Sequence, residues 1–180
     1  MAAKADDIPS DTRSITGPQR KDARSIQVVE FVLGDEHFAI DLFDVREVVE
    51  YTSITQLPNV PKYLKGIIDL RGEITTIIDL KLRLNIEEKT GFTSESSRIM
   101  VLDDKIAKSK IGILVDDVTS VSTFEAGQVD YTSASLSKED TAIIGIIKRK
   151  VKVKDKEKNE LIIWIDIKQL LADINIGTTV

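Results

Sequence analysis

Three observations predict an all-β fold of the barrel or sandwich class. The first is composition: the apolar fraction of 42% is carried by Ile, Val and Leu, with only five Phe, three Tyr and one Trp. β-branched side chains of this kind suit a pleated, half-buried surface. The second is rhythm, since roughly ten short apolar runs recur about every 8–15 residues between turn formers. The third is the scarcity of helical spacing, which is clear only near the C-terminus. The runs fall into two groups divided approximately at residues 85–96, with strand exchange across the divide left open, so two small barrels sharing one core fit better than a single large barrel. At 180 residues the chain is long enough to fill such a core.

Each element has its own signal. Residues 1–25 mix both charges, include Pro9, Gly17 and Pro18, and have little to bury; a flexible tail is expected there. Order begins at "SIQVVEFVL", where Val28, Val29, Phe31 and Leu33 form a strand. "GDE" turns the chain and Phe38, Ile40 and Leu42 return it as a hairpin. "DVREVVEY" sets Val45, Val48 and Val49 among charges, as a strand or a short helical turn would. Pro58 and Pro61 bracket a constrained connection in which Pro61 is placed to open one helical turn. "GIIDLRGEITTIIDL" (66–80) reads as two apolar strands joined at "RGE". "DLKLRLNI" resembles a short helical turn, and "EEKTGFTSES" a surface loop. Further strands are expected in "SRIMVLDD", "KIGILVDDV", "SVSTFEA", "TAIIGIIKRKVKV" and "ELIIWIDI". Ile167, Leu170, Leu171 and Ile174 then have helical spacing behind Asp166 as N-cap. The folded domain is expected over 26–174, with 175–180 as a second tail.

Several functions are disfavoured by what the chain lacks. A net charge of −5 argues against a nucleic-acid backbone as main partner, and so does the small number of aromatics. With no cysteine there is no disulfide, thiolate nucleophile or thiolate metal site. Residues 1–25 do not form a secretory signal, and no apolar run reaches the ~18–20 residues needed to span a bilayer, so the cytoplasm is the expected compartment. His37 is the one histidine and reads as an exposed strand residue, with no G-x-S-x-G nucleophile elbow to serve. Gly66 and Gly72 bracket strand formers and not the Gly-Lys-Ser/Thr of a phosphate loop. The pairs Asp103–Asp104 and Asp116–Asp117 end apolar runs and read as turn residues. No catalytic residue, metal or cofactor is expected, and a binding module remains.

Two charged features bear on binding. Residues 148–158, "KRKVKVKDKEK", hold seven basic and two acidic residues, so the rest of the chain carries −10. Lys148, Lys150, Lys152, Lys154, Lys156 and Lys158 recur with a period of two, opposite Val151 and Val153. They read either as one solvated face of an edge hairpin or as a patch steering an acidic partner. Arg71 lies between two apolar strands. It is either a hairpin arginine pointing to water or a guanidinium held to grip something.

"VPKYLKGIIDLRGEITTIIDL" resembles the signature of the CheW family, the coupling proteins of chemotaxis: a proline-bracketed turn, a glycine, apolar strand residues, an N-L-R-G turn and a strand ending in D-L. The similarity extends to "FVLGDEHFAIDLFDVREVVEYTSITQLP", "IGILVDDV", "IIGI" and "LIIWIDIKQLL" in order, covering about residues 27–172. It implies two five-stranded, SH3-like β-barrel subdomains around a shared core, a short C-terminal helix and no enzymatic activity. It also implies a cytoplasmic adaptor, recruited to membrane receptor arrays and bridging the chemoreceptor signalling tip to the regulatory domain of the chemotaxis histidine kinase. Receptors would take an apolar groove between the subdomains, and the kinase another face.

By position, the resemblance puts the partner-binding region at Val45, Glu47, Gly66, Arg71 and Gly72, with Glu47 orienting Arg71. Asp69 departs from the family's asparagine and would either pair with Arg71 or alter which receptor tip is accepted. Lys148, Lys150, Lys152 and Lys154 form an auxiliary basic patch. The alternatives are a CheW-like adaptor of a non-chemotactic array and, more remotely, a small-barrel nucleic-acid binder.

Overall fold

The computed structural model describes residues 24–87, 95–132 and 142–174. The expected tails, 1–23 and 175–180, lie outside the described residues, as does most of the loop predicted at 87–96. Arg24 and Ser25 are exceptions to the expected N-terminal tail: Ser25 pairs with Glu125, and the Arg24 carbonyl accepts the Ala126 N–H.

The apolar runs become β1 (Ser25–Leu33), β2 (Glu36–Asp41), β3 (Val45–Glu50), β4 (Leu64–Leu70), β5 (Glu73–Asp79), β6 (Arg98–Leu102) and β7 (Ile111–Val115), followed by β8 (Asp117–Glu125), β9 (Val129–Asp130), β10 (Ile143–Val153) and β11 (Lys156–Ile165). Two short helices complete the fold, α1 (Leu80–Arg83) and α2 (Ile167–Leu171). Aspartates set both helix starts: Asp79 accepts the Leu82 N–H and Asp166 accepts the Gln169 N–H, each satisfying a donor the helix leaves free. "DVREV" is a strand entered through a 3-10 turn, Leu42–Asp44, capped by Asp41 on the Phe43 N–H. Pro61 opens a β-turn closed by the Leu64 N–H on its carbonyl, and not the helical turn expected.

The strands form two sheets, in the orders β8-β1-β2-β11-β10-β9 and β3-β6-β7-β5-β4. Each curls on itself, because its two edge strands supply the same core. Phe124 of β8 meets Val129 of β9 in one cluster, and Val49 of β3 meets Ile68 of β4 in another. Between the sheets lies the shared core, with Phe31, Leu33 and Ile40 on one side and Ile78, Met100, Leu102 and Ile113 on the other. α2 closes it with Ile167, Leu170 and Leu171. Burying side chains of this size stabilises by about 1.5–3 kcal/mol each.

The all-β class, the two subdomains and the C-terminal helix are as expected, but the division is elsewhere. Residues 85–96 fall inside the five-stranded subdomain. The other sheet takes the first two and last four strands, and the two-residue β9 makes it six-stranded. Strand signals reveal strands but not which ones pair: the exchange left open at the divide takes the form of β1 and β2 joining β8–β11. The junction also revises the reading of Asp116 as a turn residue. Only 3% exposed at the β7–β8 bend, it accepts the Gly34 N–H (2.7 Å) and pairs with Lys81 of α1 (2.7 Å). His37 is likewise half-buried and not fully exposed, with Nε2 3.5 Å from Glu160.

Candidate partner-binding site

The site is built on the β4–β5 hairpin. Leu70 pairs with Glu73, leaving Arg71 and Gly72 as a two-residue turn with φ of 54° and 86°. Two successive positive φ values match the twist of the strands and normally select Asn-Gly or Gly-Gly. A side chain as large as arginine in this region costs about 1–2 kcal/mol. Asp69 braces the turn: its Oδ1 accepts the Gly72 N–H at 2.7 Å, and it makes no ion pair with Arg71. That is the bond an asparagine would make, so the departure at 69 leaves the turn intact.

The guanidinium reaches across to β3. Arg71 Nη1 and Nη2 donate to the two carboxylate oxygens of Glu47 at 3.1 and 2.8 Å. Because β3 and β4 are the edges of the five-stranded sheet, this fork closes the seam of its curl. The Arg71 side chain is 74% exposed and that of Glu47 24%. The planar group is therefore fixed from one side and presented to solvent from the other.

Beside it lies a hollow lined by Arg46, Glu47, Arg71, Glu73, Lys110 and Val101. Leu70 and Thr75 complete its lining, which is mostly charged and lies within the five-stranded subdomain. Lys110 bridges Asp104 (2.6 Å) and Glu73 (3.6 Å), and Arg46 reaches Asp104 at 3.3 Å. The hydrogen bond from Lys110, assisted by Arg46, holds the Asp104 carboxyl below its usual range despite partial loss of hydration. Three cations alternate with three carboxylates, so the rim offers a directional pattern with little net attraction. Sequence reasoning missed Arg46, Asp104 and Lys110. They converge only through the β3–β6 and β6–β7 pairings, and no spacing announces them.

The remaining expected residues separate. Val45 packs on the shared core. Gly66, at φ 145°, lies against Ile54 and Thr55: a Cβ there would come within 2.1 Å of the Thr55 carbonyl oxygen. That close approach lets Thr55 and Ile67 exchange two hydrogen bonds of 2.9 Å. Gly72 has open space around it. Lys148, Lys150 and Lys152 lie on β10 of the other sheet and Lys154 in the turn that follows it, so none is part of the Arg71 rim.

The CheW-like domain profile matches residues 27–175. This chain belongs to the CheW-like family. The scaffolding protein TtCheW from Thermoanaerobacter tengcongensis superposes on it with a TM-score of 0.67 at 32% identity, covering 86% of this chain and 97% of that one. A probable chemotaxis protein CheW of Rhizobium etli is 31% identical over 97 residues, 54% of this chain and 60% of the relative. The chemotaxis protein CheW of Thermotoga maritima is 26% identical over 158 residues, 85% of this chain and 92% of the relative. The match therefore spans under two thirds of the first relative and nearly all of the second. CheW-like proteins are non-enzymatic scaffolds. No helix among the described residues is long and apolar enough to cross a membrane.

Proposed function

We propose that this CheW-like protein is a chemotaxis adaptor that couples the cytoplasmic signalling tip of chemoreceptors to the regulatory domain of the chemotaxis histidine kinase. In this reading it is a cytoplasmic protein recruited to receptor arrays. Arg71 carries the proposal: a long side chain accepted at positive φ, three-quarters exposed and oriented by both oxygens of Glu47. A turn selected for stability alone would hold Asn or Gly at this position. Costly backbone conformations persist where the side chain they present is used. The Arg46–Asp104–Lys110–Glu73 pattern then sets the direction from which a charged helix surface approaches.

The test is assembly of purified protein with a receptor signalling fragment and the kinase, followed by co-sedimentation and kinase assay. Arg71→Ala is expected to keep the native melting temperature, since an exposed ion pair contributes only ~0–1 kcal/mol. Losing the charge-assisted contact should weaken the complex by ~1.5–3 kcal/mol, tenfold or more. Undiminished binding and kinase activation by Arg71→Ala would overturn the assignment.

A further inference from the structure

We propose that the free edge of the β10–β11 hairpin takes an acidic, extended segment of a partner protein as an added strand. The proposal concerns the six-stranded sheet and does not rest on the receptor–kinase reading of the Arg71 rim. β10 pairs with β9 only at Ile146 and Ile147, and β11 pairs with β2 only from Ile162 onward. From Lys148 to Leu161 the hairpin is a two-stranded ribbon projecting beyond its sheet. The side of Lys148–Val153 turned away from β11 has no strand partner among the described residues. Such an edge presents backbone donors and acceptors ready for another strand.

The ribbon is held stiff at its root. Arg149 donates to buried Glu30 at 2.8 Å and to Glu160 through Nε at 2.8 Å and through Nη2. Its charge is favoured beyond the ordinary guanidinium level: burial opposes it, and the Glu160 and Glu30 hydrogen bonds outweigh that opposition. Lys148 is engaged with Asp130 at 3.0 Å. Lys150, Lys152, Lys154, Lys156 and Lys158 form no ion pair among the described residues. Five unpaired cations on a ribbon whose parent chain is otherwise net −9 steer acidic partners to this one place. Edge lysines repel a second copy of the same strand, yet they complement a strand bearing carboxylates, because opposite charges directly across a pair attract.

Other polyanions fit less well. The ribbon has no aromatic residue for stacking on bases, and its one arginine is engaged. Its exposed aliphatics lie on opposite faces, Leu161 across from Lys148 and Val153 across from Lys156, so it has no single apolar face to lay into a membrane. Leu161 instead lines a hollow with Gly127, Gln128, Lys150 and Asn159 beside the free edge. That hollow seats an uncharged side chain of the added strand.

The test titrates the full-length protein with a short labelled peptide alternating Glu and Thr, with the same peptide N-methylated at alternate residues, with phosphatidylserine vesicles and with single-stranded DNA. Saturable binding of the first peptide, weakening with salt, is expected. The double variant Lys150→Glu/Lys152→Glu, whose circular dichroism should match the native protein because both sites are exposed, should bind about tenfold more weakly. Lys150→Gln/Lys152→Gln should fall between. N-methylation removes backbone donors but no charge, and should cost as much as the double variant. Equal binding of the N-methylated peptide, undiminished binding by the double variant, or tighter binding of vesicles or DNA would each overturn the added-strand proposal.

Discussion

At Arg71, stability and use pull in opposite directions. The left-handed turn would be better served by asparagine ahead of Gly72, so Arg71→Asn is expected to match or exceed the native melting temperature while losing partner binding. A coincident loss of both would make the arginine a structural brace. Arg71→Lys should rescue binding only partly, because an ammonium lacks the planar fork. Glu47→Ala should resemble Arg71→Ala in binding, and the double variant should be less impaired than the two losses added. Asp130 supplies a separate test by pH. The hydroxyl of Thr132, then Lys148, lower its pKa from 3.8 to about 2. Its contribution to stability is complete above the unfolded value of 3.8 and is lost as pH falls through about 2. A carboxyl NMR titration with its midpoint near 3.8 would contradict this. Of these features, the Glu47–Arg71 partnership was legible through the resemblance, but the positive φ was not. Nor was the burial of Asp116, since hydropathy assigns every aspartate to the surface.

Elements show where pattern reading succeeds and where it stops. The strands, the β4–β5 hairpin and the Asp166 cap were legible because each depends on residues near in sequence. The lysine ribbon shows the limit. A period of two does put Lys148, Lys150 and Lys152 on one face, with Glu157, Asn159 and Leu161 opposite them. The two-residue turn at Lys154 and Asp155 then exchanges the parity, so Lys156 and Lys158 share the other face with Val153 and Val151. The single solvated face predicted from spacing is thus two faces, both basic. Gly66 was read as bordering a partner, and it is packed closely against Thr55 of its own chain. Gly66→Ala should cost about 1–3 kcal/mol from overpacking, a fall in melting temperature of some 2–4 °C per kcal/mol in a domain of this size. Gly66→Asp should weaken receptor and kinase binding together. An unchanged melting temperature would return Gly66 to the partner surface.

The whole molecule is held at its junction by more than the shared apolar core. Asp116 ties the β1–β2 turn of the six-stranded sheet to α1, which follows β5 of the other. Asp116→Ala would leave Lys81, with its side chain 13% exposed, without this partner and the Gly34 N–H unmet. A loss of about 1–3 kcal/mol is expected for leaving the buried Gly34 N–H unsatisfied, measurable by denaturant titration; a loss under about 1 kcal/mol would show that water replaces the carboxylate. The same topology has a consequence in time. β3 to β7 form one sheet from an unbroken stretch, whereas β1 must find β8, and β2 must find β11, across that whole insert. Loop closure over such separations slows folding. As the chain leaves the ribosome, the five-stranded subdomain has every strand it needs while the first hairpin still waits for both its outer neighbours. The subdomain bearing Arg71 is thus the first able to assemble, and the one bearing the lysine ribbon is completed only once β11 has emerged.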